Sequence, residues 1–167
     1  MSLLISNLFH YPRQVNAVAT MVHDEFWVNA VDGMSVADLV AHLKTAKVAQ
    51  QMPLSLIALV DGELAGCVNL IENDDEKRAH LRPWLAAMVV CADLRGQGIG
   101  TALVRALLDD ARAMRIPTLY FGTDGPGFYQ RLGAAVHEPV RDDFAIMKFE
   151  LVKESNNSGP HGQGENT

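Results

Sequence analysis

The chain has 167 residues, is 49% hydrophobic and 20% charged, and carries a formal net charge of -6 at pH 7. That size and balance supply a sizeable core and exclude a disordered chain, a collagen-like repeat or a small disulfide scaffold. The acidic excess argues against unaided binding to a nucleic-acid backbone and suits a cationic small-molecule partner.

Cys67 and Cys91 both sit inside apolar runs, as reduced thiols of a cytoplasmic protein do. The N-terminus lacks the basic start of a signal peptide. No apolar stretch approaches the ~20 residues of a membrane span. A cytoplasmic location without membrane contact is therefore expected. Residues 153–167 are polar, rich in Gly, Asn and Ser, and without an apolar anchor, which predicts a disordered tail. Residues 1–152 read as a single domain.

Leu3 to Phe9 reads as a strand. Val15, Val18, Val22 and Phe26 then recur at helical spacing, and Ser35-Val-Ala-Asp38 has the form of a capping box ahead of a second apolar stripe. Leu54–Val60 and Leu64–Ile71 flank Asp61-Gly62, the strongest short-range signal for a hairpin. A charged connection from Glu72 to Arg82 leads to a further strand, Trp84–Cys91. Ile99, Ala102, Leu103, Ala106 and Leu107 form the stripe of a third helix, which Pro117 is expected to end. A short strand at Thr118–Phe121, a short helix near Gly127–Leu132 and two strands around the polar turn Arg141-Asp142-Asp143 complete the chain. The order strand, two helices, three strands, helix, strand, helix, two strands predicts a mixed α/β fold around one sheet.

Chemistry concentrates in Met88-Val-Val-Cys-Ala-Asp-Leu-Arg95-Gly96-Gln97-Gly98-Ile99-Gly100-Thr101. A strand ends, glycines let backbone N–H groups converge, and an amphipathic helix opens. That arrangement suits a phosphate. A Walker loop would need a lysine before Thr101, and a Rossmann fingerprint would need glycine where Thr101 stands. Both nucleotide patterns fail at residues that matter.

Arg95-x-x-Gly98-x-Gly100, after a strand and opening a helix, resembles the acetyl-CoA pyrophosphate loop of the GNAT superfamily of N-acetyltransferases. Phe128-Tyr129-Gln-Arg-Leu-Gly133 is similar to that family's aromatic-Tyr-x-x-Leu-Gly helix, and the element order from Leu3 to Leu151 matches too. The resemblance implies a mostly antiparallel sheet of about seven strands, helices on both faces, and a V-shaped acetyl-CoA cleft. It further implies that the backbone of Met88, Val89 and Val90 pairs with the pantetheine arm and polarises the thioester. Gly96, Gln97, Gly98, Ile99, Gly100 and Thr101 would wrap the pyrophosphate, with Arg95 supplying charge. Tyr129 would protonate the departing CoA thiolate.

The resemblance also implies an amine acceptor, which must lose a proton before attack. An amine of pKa about 10.4 is neutral in only about one molecule in 2,500 at pH 7. Some relatives place a glutamate on the strand holding Met88–Val90 or on the strand of Leu119–Gly122, but neither strand carries a carboxylate here. The base is therefore sought in Glu72, with Asp74, Asp75 and His80 behind it. Glu25 and Trp27 fall in the region where relatives build the acceptor pocket, and Trp84 offers an aromatic wall. No His or Cys pair has metal-ligand spacing, so no metal is expected. The leading expectation is an acetyl-CoA-dependent N-acetyltransferase acting on a small-molecule primary amine in a ternary complex. A protein or aminoacyl-RNA acceptor, and a non-catalytic acyl-CoA-binding module, stand as alternatives. Relatives are often dimers, so a homodimer is carried as an expectation.

Overall fold

The computed structural model describes residues 1–152; the expected polar tail lies outside the described residues. The strands are β1 (Leu3–Asn7), β2 (Leu54–Val60), β3 (Glu63–Ile71), β4 (Trp84–Val90), β5 (Thr118–Thr123), β6 (Ala135–Arg141) and β7 (Phe144–Glu150). The helices are α1 (Val15–Phe26), α2 (Val36–Leu43), α3 (Ile99–Ala113) and α4 (Pro126–Gln130). The seven strands form one sheet in the order β1-β2-β3-β4-β5-β7-β6, antiparallel except for β4 beside β5. The predicted element order holds throughout.

Local chemistry explains most boundaries. Ser35 Oγ accepts the Asp38 N–H at 3.1 Å while Asp38 Oδ2 accepts the Ser35 N–H at 3.1 Å, so α2 opens with the expected capping box. Asp61 and Gly62 both hold positive φ, 51° and 84°, as a two-residue hairpin between right-twisted strands requires. The third helix does not run to Pro117. Arg115 takes a left-handed φ of 60°, and the Ile116 N–H donates to Ala111 O, so a Schellman turn closes α3 first. Leu8 leaves the first strand early in a 3-10 turn and is 1% exposed, which buries it beneath α1.

The two faces of the sheet are covered differently. On one face Val15, Val18 and Val22 of α1 and Leu39 and Leu43 of α2 pack on Ile57, Leu59, Cys67 and Val89. On the other, Leu103, Leu107 and Ala111 of α3 pack on Leu56, Val68, Leu85 and Leu119. Burying a leucine such as Leu103 or Leu107 in full stabilises the fold by roughly 1.5–3 kcal/mol. With helices on both sides, β2 is buried on both its faces. Its sequence, LSLIALV, is accordingly a continuous apolar run rather than an alternation.

Candidate functional site

The centre of the sheet carries an irregularity in β4. Cys67 pairs with Val89 and Asn69 with Ala86, so Val68 alone faces both Ala87 and Met88. This is a β-bulge, and Ala87 takes a left-handed φ of 50° within it. A bulge deprives the local carbonyls of ladder partners, and side chains of β3 replace them. Asn69 Nδ2 donates to Ala86 O at 3.4 Å, Cys67 Sγ donates to Ala87 O at 3.4 Å, and Ser55 Oγ donates to Asn69 Oδ1 at 2.6 Å. Ser55 and Asn69 are buried, and these bonds satisfy them.

Beyond the bulge β4 parts from β5. Their register contains only the pair Trp84–Tyr120, the first residue of β4 and the third of β5, with the Tyr120 N–H donating to Pro83 O at 3.0 Å. Two parallel strands joined only at their beginnings leave a V toward their ends. A cleft of about 480 Å³ lies there, lined by Met88, Val89 and Val90 of β4 and by the loop and first turn of α3.

That loop is shaped by its glycines. Gly96 and Gly98 hold φ of 76° and 85°, where a side chain would be strained, although a Cβ would meet nothing. Gly100 differs: its φ is ordinary, and an added Cβ would project toward Phe128 Cζ at 3.4 Å and Met88 Cε at 3.6 Å, inside the cleft. Among the described residues, no backbone N–H from Gly96 through Thr101 is matched to a protein acceptor. These unmatched donors, at the positive end of a 15-residue helix, fit a phosphate group. Arg95 stands beside them, its Nε donating to Val90 O at 3.0 Å and its Nη2 to Glu25 Oε2 at 3.3 Å.

The cleft brings together Glu25, the three β4 residues, Arg95, Gly96, Gly98, Ile99, Gly100 and Thr101. Gln97 points into solvent instead. Sequence reasoning missed Leu94, Phe128 and Arg131 as lining residues. Phe128 was legible as the aromatic residue of its motif, and Arg131 as a cation in the same short segment. Nothing local marked Leu94.

Tyr129 lies below this surface. Its ring packs on Phe121 at 4.4 Å between centroids and edge-on to Phe128 at 4.9 Å, leaving it 8% exposed. Burial, and then the charge of Asp124, push its phenol up to about 12. The hydroxyl is thus protonated at any ordinary pH, as a proton donor must be.

The expected acceptor and base residues are dispersed. Trp84 is 2% exposed, its Nε1 donating to Leu81 O at 2.6 Å, and it packs with Leu81 and Ile146. It is a core residue and offers no wall to a substrate, because the start of β4 is where β5 closes over it. Trp27 is half-buried against the α1–α2 core and does not line the cleft. Glu72 is exposed just past the Ile71–Trp84 pair, beyond the start of β4 and at the opposite end of that strand from Met88–Val90. Asp74, Asp75 and His80 are likewise outside the cleft. Asp75 is engaged by Arg78 at 2.6 Å, and Asp74 beside it is exposed. Cys67 is buried and Cys91 half-buried, both unpaired.

A splayed strand pair, a bulge at its edge and unmatched amides at a helix start agree with the sequence profile of the Acetyltransferase (GNAT) family, which matches residues 20–134. The chain belongs to the GNAT acetyltransferase family. No curated protein matches it significantly. Solved structures of the same fold do. A putative acetyltransferase, YncA of Salmonella typhimurium, bound to acetyl-CoA, superposes with TM-score 0.69 at 15% identity, over 97% of this chain and 99% of that one. An aminoglycoside 6'-N-acetyltransferase complexed with coenzyme A gives 0.70 at 16%, over 90% and 98%. PaiA N-acetyltransferase of Thermoplasma acidophilum, also with coenzyme A, gives 0.68 at 16%, over 90% and 99%. Among the described residues of this GNAT chain, no helix is long and apolar enough to cross a membrane.

Proposed function

We propose that the chain is an acetyl-CoA-dependent N-acetyltransferase that acetylates a primary amine of a small molecule by direct attack in a ternary complex. The observation that carries this reading is the coincidence, in one cleft, of the unmatched amides of Gly96, Gly98, Ile99, Gly100 and Thr101 with a strand edge opened by a bulge. The loop would take the pyrophosphate and the β4 edge the pantetheine arm. The amine nitrogen would bond to the thioester carbonyl carbon as the carbon–sulfur bond breaks. Tyr129 would then return a proton to the leaving thiolate, and the proton lost by the amine would pass to bulk water. Family membership and three structures holding CoA or acetyl-CoA support the co-substrate. The formal charge of -6 supports a cationic acceptor.

A thermal melt tests the co-substrate first. A ligand at about 100 times its dissociation constant stabilises by roughly 2.7 kcal/mol, a rise of about 5–10 °C at this size. Acetyl-CoA and CoA should both raise the melting temperature, and NADH should not. Gly98→Glu sets a carboxylate against the pyrophosphate, and unchanged acetyl-CoA affinity in calorimetry would remove the loop assignment. The absence of Glu72, Asp74, Asp75 and His80 from the cleft favours, as a second reading, a module that binds acyl-CoA without turnover. Thiol release from acetyl-CoA across a panel of primary amines separates the two.

A further inference from the structure

Among the described residues, Glu25 is the only carboxylate that lines the cleft, and it stands where an anionic co-substrate is to bind. A carboxylate there opposes pyrophosphate unless a cation neutralises it. Arg95 does so, 70 positions away in sequence, through a single Nη2–Oε2 contact of 3.3 Å. Both side chains are about half exposed, 53% and 44%, so the pair is weak and exchangeable. The guanidinium is nonetheless held at the mouth of the cleft, because its Nε is fixed on Val90 O at 3.0 Å. It can turn its terminal nitrogens from Glu25 to a phosphate without leaving its place. A pyrophosphate, with more charge and paired oxygens, is the stronger acceptor for that fork.

We infer that Glu25 is a latch on Arg95 that the pyrophosphate opens. The inference rests on the proposed acetyl-CoA site and deepens it: it names the carboxylate that the co-substrate must displace from its own anchoring arginine. Glu25 lies in the last turn of α1, on the face of the sheet opposite α3, whereas the pyrophosphate would occupy the start of α3.

The test is a double-mutant cycle on free CoA affinity, read by calorimetry at low ionic strength, where an exposed pair is least screened. Glu25→Gln should tighten CoA about two- to fivefold in the presence of Arg95, since the ligand no longer breaks the pair. In an Arg95→Gln background, which should bind CoA about tenfold more weakly yet measurably at millimolar ligand, the same change should have little effect. Equal tightening in both backgrounds means plain repulsion by Glu25 and overturns the latch. Unchanged or weaker CoA binding by Glu25→Gln with Arg95 present overturns it too. A wild-type chain that fails to bind CoA defeats the acetyl-CoA reading as well, so the two failures are told apart by the first titration.

Discussion

Ser55 and Asn69, on neighbouring central strands, are joined by a 2.6 Å hydrogen bond in an otherwise apolar interior, and Asn69 passes the connection on to Ala86 O beside the bulge. The pair stands in for backbone bonds that the bulge removes. Asn69→Leu strands the Ser55 hydroxyl and the Ala86 carbonyl, and should lower stability by about 1–3 kcal/mol. Adding Ser55→Ala should recover part of that loss, because one orphaned group disappears. Urea unfolding of the three variants measures it, and a single Asn69→Leu variant as stable as wild type would mean the network contributes nothing.

Gly100 separates stability from binding. Its φ is ordinary and its surroundings admit a Cβ at normal contact distance, so Gly100→Ala should melt at the same temperature or higher. That methyl group projects among Phe128, Met88 and Val90, where the co-substrate is to lie. CoA affinity should fall about tenfold as a charged hydrogen bond at the helix start is lost. Calorimetry and a melt on one sample decide the matter; a destabilised variant, or one with undiminished affinity, contradicts the geometry.

Tyr129→Phe should retain the fold, since the hydroxyl has no hydrogen-bond partner among the described residues. Its kcat should drop about 100-fold with little change in KM for acetyl-CoA, the signature of a lost general acid. With the phenol raised to about 12, any basic limb of the wild-type profile below pH 10 belongs to another group. A tyrosine raised above its ordinary 10 leaves folding unaffected below that pH and disfavours it increasingly from pH 10 toward 12. Equal rates for the variant and wild type across pH 6–9 would remove Tyr129 from the mechanism.

Arg78 ties the connection after β3 to the outer strand. It forks onto Glu138 of β6 through Nε and Nη2, both at 2.9 Å, and holds Asp75 through Nη1 at 2.6 Å. Every residue of β6 is exposed, and β7 is its one strand neighbour. Arg78→Gln should therefore speed amide exchange in β6 while leaving β5 unchanged. The Arg78 hydrogen bond holds the Glu138 carboxyl below its ordinary 4.5. The tether is thus intact above pH 4.5 and lost as pH falls through that lowered value. Exchange followed by mass spectrometry on wild type and variant reads the effect, and equal protection of β6 in both would dismiss the tether.

Signals carried by residues adjacent in the chain are legible from the sequence alone. Ser35 and Asp38 announce a helix start because their bonds close within four residues. Asp61-Gly62 announces a hairpin because only a few residue types tolerate its two positive φ values. The glycine loop announces a sharp turn into a helix because few other residue types tolerate the positive φ of Gly96 and Gly98. Tertiary packing decided the rest. Trp84 and Trp27 look equally available in a linear sequence, yet the first is sealed where β4 and β5 meet and the second leans on α1 and α2. Glu72 follows a strand whose end lies at the closed root of the V.

Composition, periodicity and the spacing of glycines are short-range properties, so the sequence by itself determined the order of elements and the place of the glycine loop. The opening between β4 and β5, the burial of Tyr129 beneath Phe128 and the meeting of Glu25 with Arg95 depend on which strands become neighbours and which face each helix covers. Those choices are made by the burial of a shared core among residues distant in the chain, and no local pattern records them.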